Sequence, residues 1–337
     1  MLSRVVENAY WLARYLERAE NTARLISVNA NLLLDLPQGY APGWLPLIDI
    51  TANRALFDAR ARRAEESEVV HFLMADLGNP DSVVCSLKMA RENARTLRDV
   101  LPTDAWEVLN QFYLEFNEEL PTASTRRARF NFLKRIVLTS ETLTGVLDST
   151  MNRNDAYTFA MLGRSLERAD MTSRIADVRS TQLLAAPASA PPRLGPFDSI
   201  QWMSVLKSLS GYEMYRLSRR TRVSPRDALE FVLRDTQFPR ACLYCLLAME
   251  RDVGPLPRST TVLEPLARAS GFLREAPLDE LDQRELHELI DRLQLHLNAV
   301  HDSIARTYFQ ADGGVRAQGG PRETGIPRTL PLFAARS

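Results

Sequence analysis

The chain has 337 residues, with 42 Lys and Arg against 42 Asp and Glu, so its formal net charge at pH 7 is zero. That balance argues against a nucleic-acid binder, which carries a basic excess to neutralise phosphates. No apolar run approaches the roughly 18 to 20 residues that span a bilayer, so no membrane span is expected.

A hydrophobic share of 45% and a charged share of 25% are those of a globular protein with a sizeable core. Three cysteines, Cys85, Cys242 and Cys245, are an odd number and a poor disulfide framework. The amino end meets Arg4 and Glu7 at once, without the apolar core of a signal segment. A cytoplasmic protein is the expectation.

The elements read as helices from the start. Trp11, Leu12, Tyr15, Leu16, Ala19, Ala23 and Ile26 share one face of a first helix, at about 100° per residue. Asp104 opens a segment in which Trp106, Leu109, Phe112, Tyr113 and Phe116 repeat the spacing, and the stretches 129–150, 200–220 and 281–309 behave likewise. Glycines number only 14, and two-residue hairpin signals are nearly absent. The predicted class is all-α.

The chain also carries an internal echo. The segment Leu12 to Arg24, which contains Arg14, Glu17, Arg18, Glu20 and Asn21, recurs 150 residues later as Leu162 to Arg174, with Arg164, Glu167, Arg168 and Asp170. Trp44 then matches Trp202, Phe72–Pro80 matches Phe231–Pro239, and Leu143, Val146, Asp148 and Ser149 match Leu297, Val300, Asp302 and Ser303. The order is kept and the offsets stay between 150 and 159. The expectation is two tandem, divergent helical bundles of roughly five or six helices each, about 1–150 and 151–310, packed as one body. A short turn near Asn152–Asp155 joins them, and each motif helix is separated from its Trp helix by a Pro-rich loop (36–43 and 185–196). The Gly- and Pro-rich tail, 311–337, is expected to be extended or disordered.

On the first motif helix Arg14, Glu17, Asn21 and Arg24 lie on a stripe opposite the apolar face, with Arg18 at its shoulder. Arg164, Glu167, Arg168 and Arg174 repeat that stripe, with Met171 in place of Asn21. Glu20–Arg24 and Asp170–Arg174 are acid-first pairs one turn apart. Two readings stand open. The stripes could form a partly buried ion-pair network between the halves, or their arginines could present rigid forks to a carboxylate or phosphate of a ligand or partner.

Other motifs carry less. Cys242-Leu-Tyr-Cys245 stands alone in an apolar helix, and its counterparts in the first half are Val83 and Ser86, so it reads as core rather than metal or redox chemistry. The four histidines, His71, His287, His296 and His301, lack the spacing of a zinc helix. No phosphate loop, dinucleotide fingerprint or nucleophile elbow is present, so no cofactor and no metal are expected. Ser149 and Ser303, each beside a repeated aspartate, read as makers of helix-end or interhelical hydrogen bonds.

The opening Met1-Leu-Ser-Arg4-Val-Val-Glu7-Asn8-Ala-Tyr10-Trp11-Leu-Ala-Arg14-Tyr15-Leu-Glu17-Arg18-Ala19-Glu20-Asn21-Thr-Ala-Arg24 resembles that of the bacterial alpha-E family, helical proteins named for a Glu-Arg motif. The resemblance is dense over the first 26 residues and returns at 162–174. It implies a companion role. Family members are encoded beside, and sometimes fused to, a circularly permuted ATP-grasp protein, often with a transglutaminase-like protein nearby. The implied function is that of a helical partner or scaffold for ATP-driven amide or peptide bond formation. Two alternatives stay open: an enzyme that binds a carboxylate-bearing substrate through the stripes, with Glu17 or Glu167 as general base, and a structural homo-oligomer built on the exposed part of the stripe.

Overall fold

The computed structural model describes residues 3–36, 43–60, 63–120, 125–183, 198–220, 222–278 and 281–310. All regular structure among them is helical. The first seven helices are α1 (Ser3–Asp35), α2 (Leu45–Ile50), α3 (Arg54–Arg60), α4 (Glu66–Met74), α5 (Val83–Thr96), α6 (Thr103–Glu119) and α7 (Arg126–Thr150). After the turn at 151–154 come α8 (Asp155–Leu183), α9 (Asp198–Ser208), α10 (Tyr212–Arg219), α11 (Pro225–Arg234), α12 (Cys242–Val253), α13 (Thr260–Glu275) and α14 (Gln283–Ile304), and a π-helical turn (Ala305–Phe309) closes α14. Each side of the turn therefore holds seven helices among the described residues, more than the five or six expected. The Pro-rich loops and the tail from Ala311 lie almost entirely outside the described residues.

The extra helices come from breaks that apolar spacing does not reveal. The stretch 200–220 divides into α9 and α10 at Ser210, whose φ of 54° lies in the left-handed region. Starts follow familiar capping chemistry. Ser82, Thr125 and Ser224 accept backbone N–H groups of α5, α7 and α11, and Asp282 and Glu285 form a reciprocal capping box on α14. Trp44 sits just before α2 and Trp202 within α9, both buried.

Two long helices occupy the centre. α1 packs on α8, α5, α7 and α9, and α8 packs in turn on α12, α14 and α2. α1 contributes to all three apolar clusters. Val6, Tyr10 and Leu25 join the core built mainly from α8–α14. Ala19, Ala23 and Ile26 join that of α2–α7. Ala9, Leu12, Tyr15 and Leu16 join a third, which spans α5, α6, α7 and the start of α8. Apolar contact is thus continuous across residue 150. At Gly163 the two central helices come so close that a Cβ would overlap the carbonyl oxygen of Tyr10; only glycine fits that approach. No helix among the described residues is long and apolar enough to cross a membrane.

Candidate functional site

The two motif stripes face each other across the α1–α8 contact. A stripe opposite the apolar face would ordinarily be solvated, but α1 is covered on that side too, so Arg14, Glu17, Arg18, Glu20 and Asn21 are all buried. Glu167 is likewise buried, and Arg168 and Arg24 are nearly so.

The pairing is crossed. Glu167 of α8 accepts from Arg14 Nε at 2.7 Å and from Arg18 through Nε at 2.7 Å and Nη2 at 3.2 Å. Reciprocally, Glu17 of α1 lies 3.0 Å from Arg168 Nε of α8 and accepts from Asn21 Nδ2 at 3.4 Å. Both one-turn pairs form as expected, Arg24–Glu20 at 2.8 Å and Arg174–Asp170 at 3.0 Å, and Arg24 also reaches Glu141 of α7 at 3.2 Å.

Two further members come from turns. Arg240, just before α12, donates Nη1 to Glu17 and to Asn21 Oδ1 (2.8 Å) and Nη2 to Glu20. Asp81, just before α5, accepts from Arg18 Nη1 at 2.6 Å and from Asn53 at 3.1 Å. Both are buried. The sequence reading missed them, although each stands one residue beyond the matched Phe72–Pro80 and Phe231–Pro239 segments, with charge of opposite sign in the two places. Motif scanning looks for like residues at like positions, and this pair is unlike.

Burial works against ionisation of Glu17, but Arg168 and Arg240 outweigh it and hold its carboxyl down to about 2. Glu20 goes the other way: burial and the neighbouring Glu17 carboxylate raise it despite Arg240 and Arg24. Arg14 and Arg18 are held firmly protonated, since Glu167, with Asp81 at Arg18, overcomes their desolvation. Arg164 is the exception. It has no carboxylate at ion-pair distance among the described residues, its Nε is buried without a hydrogen-bond partner, and burial together with Arg168 lowers its pKa.

A second buried feature adjoins the network. Tyr10 Oη lies 2.8 Å from His301 Nδ1, and Arg14 Nη1 lies 3.5 Å from both atoms. Burial and Arg14 push His301 down to about 4, while burial pushes Tyr10 up to about 12. The imidazole is therefore neutral near pH 7; Arg14 Nη1, which can only donate, faces Nδ1 and favours the tautomer in which Nε2 carries the proton.

The cleft beside the network, lined by Arg18, Thr22, Asp81, Glu167, Asp170 and Arg174 among others, has about 10 Å³ open to the centre of a water molecule, room for about one water. The network fills its own space.

The remaining candidates are structural in their contacts. Cys242 and Cys245 are free, buried thiols directed at the backbone oxygens of Ala169 and Pro239, and burial pushes Cys245 up to about 12. No three His, Cys, Asp or Glu side chains gather as a metal site would need among the described residues. His287 bonds Asp177 of α8 at 2.7 Å and lies 3.7 Å from Asp291. Ser149 donates to Gly145 O of its own helix, and Ser303 donates to Thr261 O of α13.

Among known proteins, one of Mycobacterium bovis, named only as uncharacterised, is 25% identical over 349 aligned positions, covering 94% of this chain and 38% of its own. Proteins of two Mycobacterium tuberculosis strains, also named as uncharacterised, are 25% and 24% identical with the same coverage. The chain thus spans less than two fifths of the length of these relatives. No solved structure matches it. The model of one family, described as a predicted alpha-helical domain with a conserved ER motif, matches residues 1–309, and Glu17-Arg18 and Glu167-Arg168 are the Glu-Arg pairs at the centre of the buried network: the chain belongs to the Alpha-E family.

Proposed function

We propose that this protein is a helical companion of an ATP-grasp-type amide or peptide ligase, which it serves by assisting complex formation or presenting substrate. The observation that carries the reading is the closure of its own motif. The Arg/Glu stripes are spent on one another, and the space beside them takes about one water, so a carboxylate-bearing substrate held by the stripes has no chamber there. A homo-oligomer built on the stripe has little exposed stripe to use, since most of it is buried. A companion role asks only for a rigid body with outer surfaces. The length of the relatives adds support: well over half of each lies outside the match, the arrangement expected where such a body works joined to another protein. On this reading the partner, a circularly permuted ATP-grasp protein, supplies nucleotide and metal chemistry in the cytoplasm, with a transglutaminase-like protein as a second candidate.

The same reading takes residues 1–310 as one body derived from a duplicated bundle. Crossed pairing favours it, because Glu17–Arg168 and Glu167–Arg18 exchange places when one half is mapped onto the other.

Co-expression of the full chain with a circularly permuted ATP-grasp protein from the same source tests the proposal. A complex that stays together through affinity purification and gel filtration at micromolar concentration is expected. Separate elution of the two proteins overturns it.

A further inference from the structure

The duplicated motif makes each half a reference for the other, and their charges do not match. On α1, Arg14 and Arg18 stand one turn apart, and one carboxylate, Glu167, bridges them. Asp81 gives Arg18 a second carboxylate. On α8 the corresponding arginines are Arg164 and Arg168, and the corresponding carboxylate is Glu17. Glu17 serves them unequally. Its Oε2 lies 3.0 Å from Arg168 Nε and its Oε1 accepts from Arg240. Among the described residues no carboxylate lies at ion-pair distance from Arg164, whose Nε is buried without a hydrogen-bond partner. The difference traces to the turns, where Arg240 stands at the place that corresponds to Asp81. Two arginines thus face two carboxylates in the first half. In the second, Arg164, Arg168 and Arg240 face Glu17 and Glu20, and Glu20 is shared with Arg24.

The unserved group lies at the edge of the network. Arg164 and Arg168 are both partly accessible to solvent, and they stand one turn apart on one face of α8. The one-water cleft is lined by Arg18 and Glu167 and does not include Arg164. Two acids act on Arg164 from farther away, Asp148 and Asp252, and both are engaged elsewhere. Asp148 accepts from Tyr157 Oη at 2.8 Å and from Arg153 at 3.1 Å, and Asp252 lies 3.3 Å from Arg251. A largely buried guanidinium without a partner is costly to the fold. Such a cost is expected where a ligand, and not the chain, completes the pair.

We propose that Arg164, with Arg168 beside it, binds one carboxylate from outside the chain, held as Arg14 and Arg18 hold Glu167. Three features select the class of the occupant. The equivalent pair on α1 already closes on a carboxylate, whose two oxygens match a guanidinium fork. The second half is short of one negative charge, which a carboxylate supplies and a phosphate dianion exceeds. Asp148 and Asp252 stand close enough to oppose that excess. A small carboxylic acid and the carboxylate of a peptide share this chemistry. The site needs no enclosed chamber, and the inference does not rest on the companion role.

The test uses the full chain labelled at its methionine methyl groups and follows the NMR signal of Met161, one turn before Arg164 on the same face of α8. Titration with sodium acetate is expected to shift that signal saturably in the millimolar range, and sodium chloride at the same ionic strength to leave it in place. Arg164→Met should weaken acetate binding by about tenfold or more. Arg164→Lys, which keeps the charge and loses the fork, should weaken it by about threefold. Arg63→Gln, at an exposed position elsewhere, should bind as the wild type does. Circular dichroism melts check that each variant folds. Acetyl-diglycine with a free carboxyl end then separates the sources: binding about tenfold tighter than acetate marks a peptide, and equal binding a small acid. No saturable shift, an equal shift with chloride, or an unchanged response in Arg164→Met overturns the proposal. So does a response to inorganic phosphate with none to acetate.

Discussion

Glu167 holds two buried guanidinium groups, and taking its charge away strands Arg14 and leaves Arg18 with Asp81 alone. Arg14 and Arg18 cannot shed their protons, so Glu167→Gln leaves two desolvated cations facing a neutral amide, with only Arg18 still paired, to Asp81. Breaking a buried pair from one side costs about 3–5 kcal/mol, and the midpoint of urea unfolding should fall accordingly. Arg164 provides the contrast. It carries the burial cost without an ion-pair partner, so Arg164→Met should change stability by less than about 1 kcal/mol or raise it. A large loss in Arg164→Met would show that a partner is being missed. His301 sets a pH window of its own. Its pKa is about 4 in the fold against 6.5 when unperturbed, so as pH falls the unfolded chain takes up the proton first. Its contribution is complete above pH 6.5, fades between 6.5 and 4, and is level below; the shift corresponds to about 3 kcal/mol. Glu17 acts lower, its contribution present above 4.5 and lost as pH falls toward about 2. The pH dependence of the difference between wild-type and His301→Gln stability curves should therefore be confined to the upper window. A difference that is flat through it would mean that the imidazole is not held neutral.

At the scale of elements, α1 and α8 are built around a close approach. Leu12-Ala13-Arg14 in one helix is Leu162-Gly163-Arg164 in the other, and the missing methyl makes room for the Tyr10 carbonyl. Gly163→Ala adds a single methyl but forces backbone to move, an overpacking cost of about 1–3 kcal/mol despite alanine's better helix propensity. Thermal melts should show the loss; a gain in stability would mean that the helices lie farther apart. The motif helices themselves were legible because apolar residues recur every three or four positions and charged ones repeat in step. Burial of their polar stripes was legible only as one of two open readings, since a charged face normally signals solvent, and only a second helix of matching charge reverses that. Arg240 and Asp81 escaped notice because they sit in turns, opposite in sign, where no periodicity points. The break at Ser210 escaped for a local reason: a serine in a left-handed conformation leaves no mark that spacing can detect.

For the whole molecule, the consequence is that neither half owns its centre. The core of α8–α14 includes Val6, Tyr10 and Leu25 from α1, and the carboxylate of Glu167 is satisfied by arginines from the same helix. Arg240 in turn needs Glu17 and Glu20 from α1. A fragment of residues 151–310 would expose the apolar surface that α1 covers and hold unpaired charges where water cannot fully reach. Expressed alone, it is expected to lack a cooperative melt and to show poor amide dispersion in NMR. The 1–150 fragment faces a parallel problem, because Arg14 and Arg18 lose Glu167 while Leu12 and Leu16 lose the start of α8. Co-expressed, the two fragments should assemble and recover one unfolding transition near that of the intact chain, since the cut falls in the short turn at 151–154. The intact protein should likewise unfold in a single step. A cooperative, independently folded 151–310 fragment would overturn this picture, because the α1–α8 contact would then join two finished domains instead of completing one core.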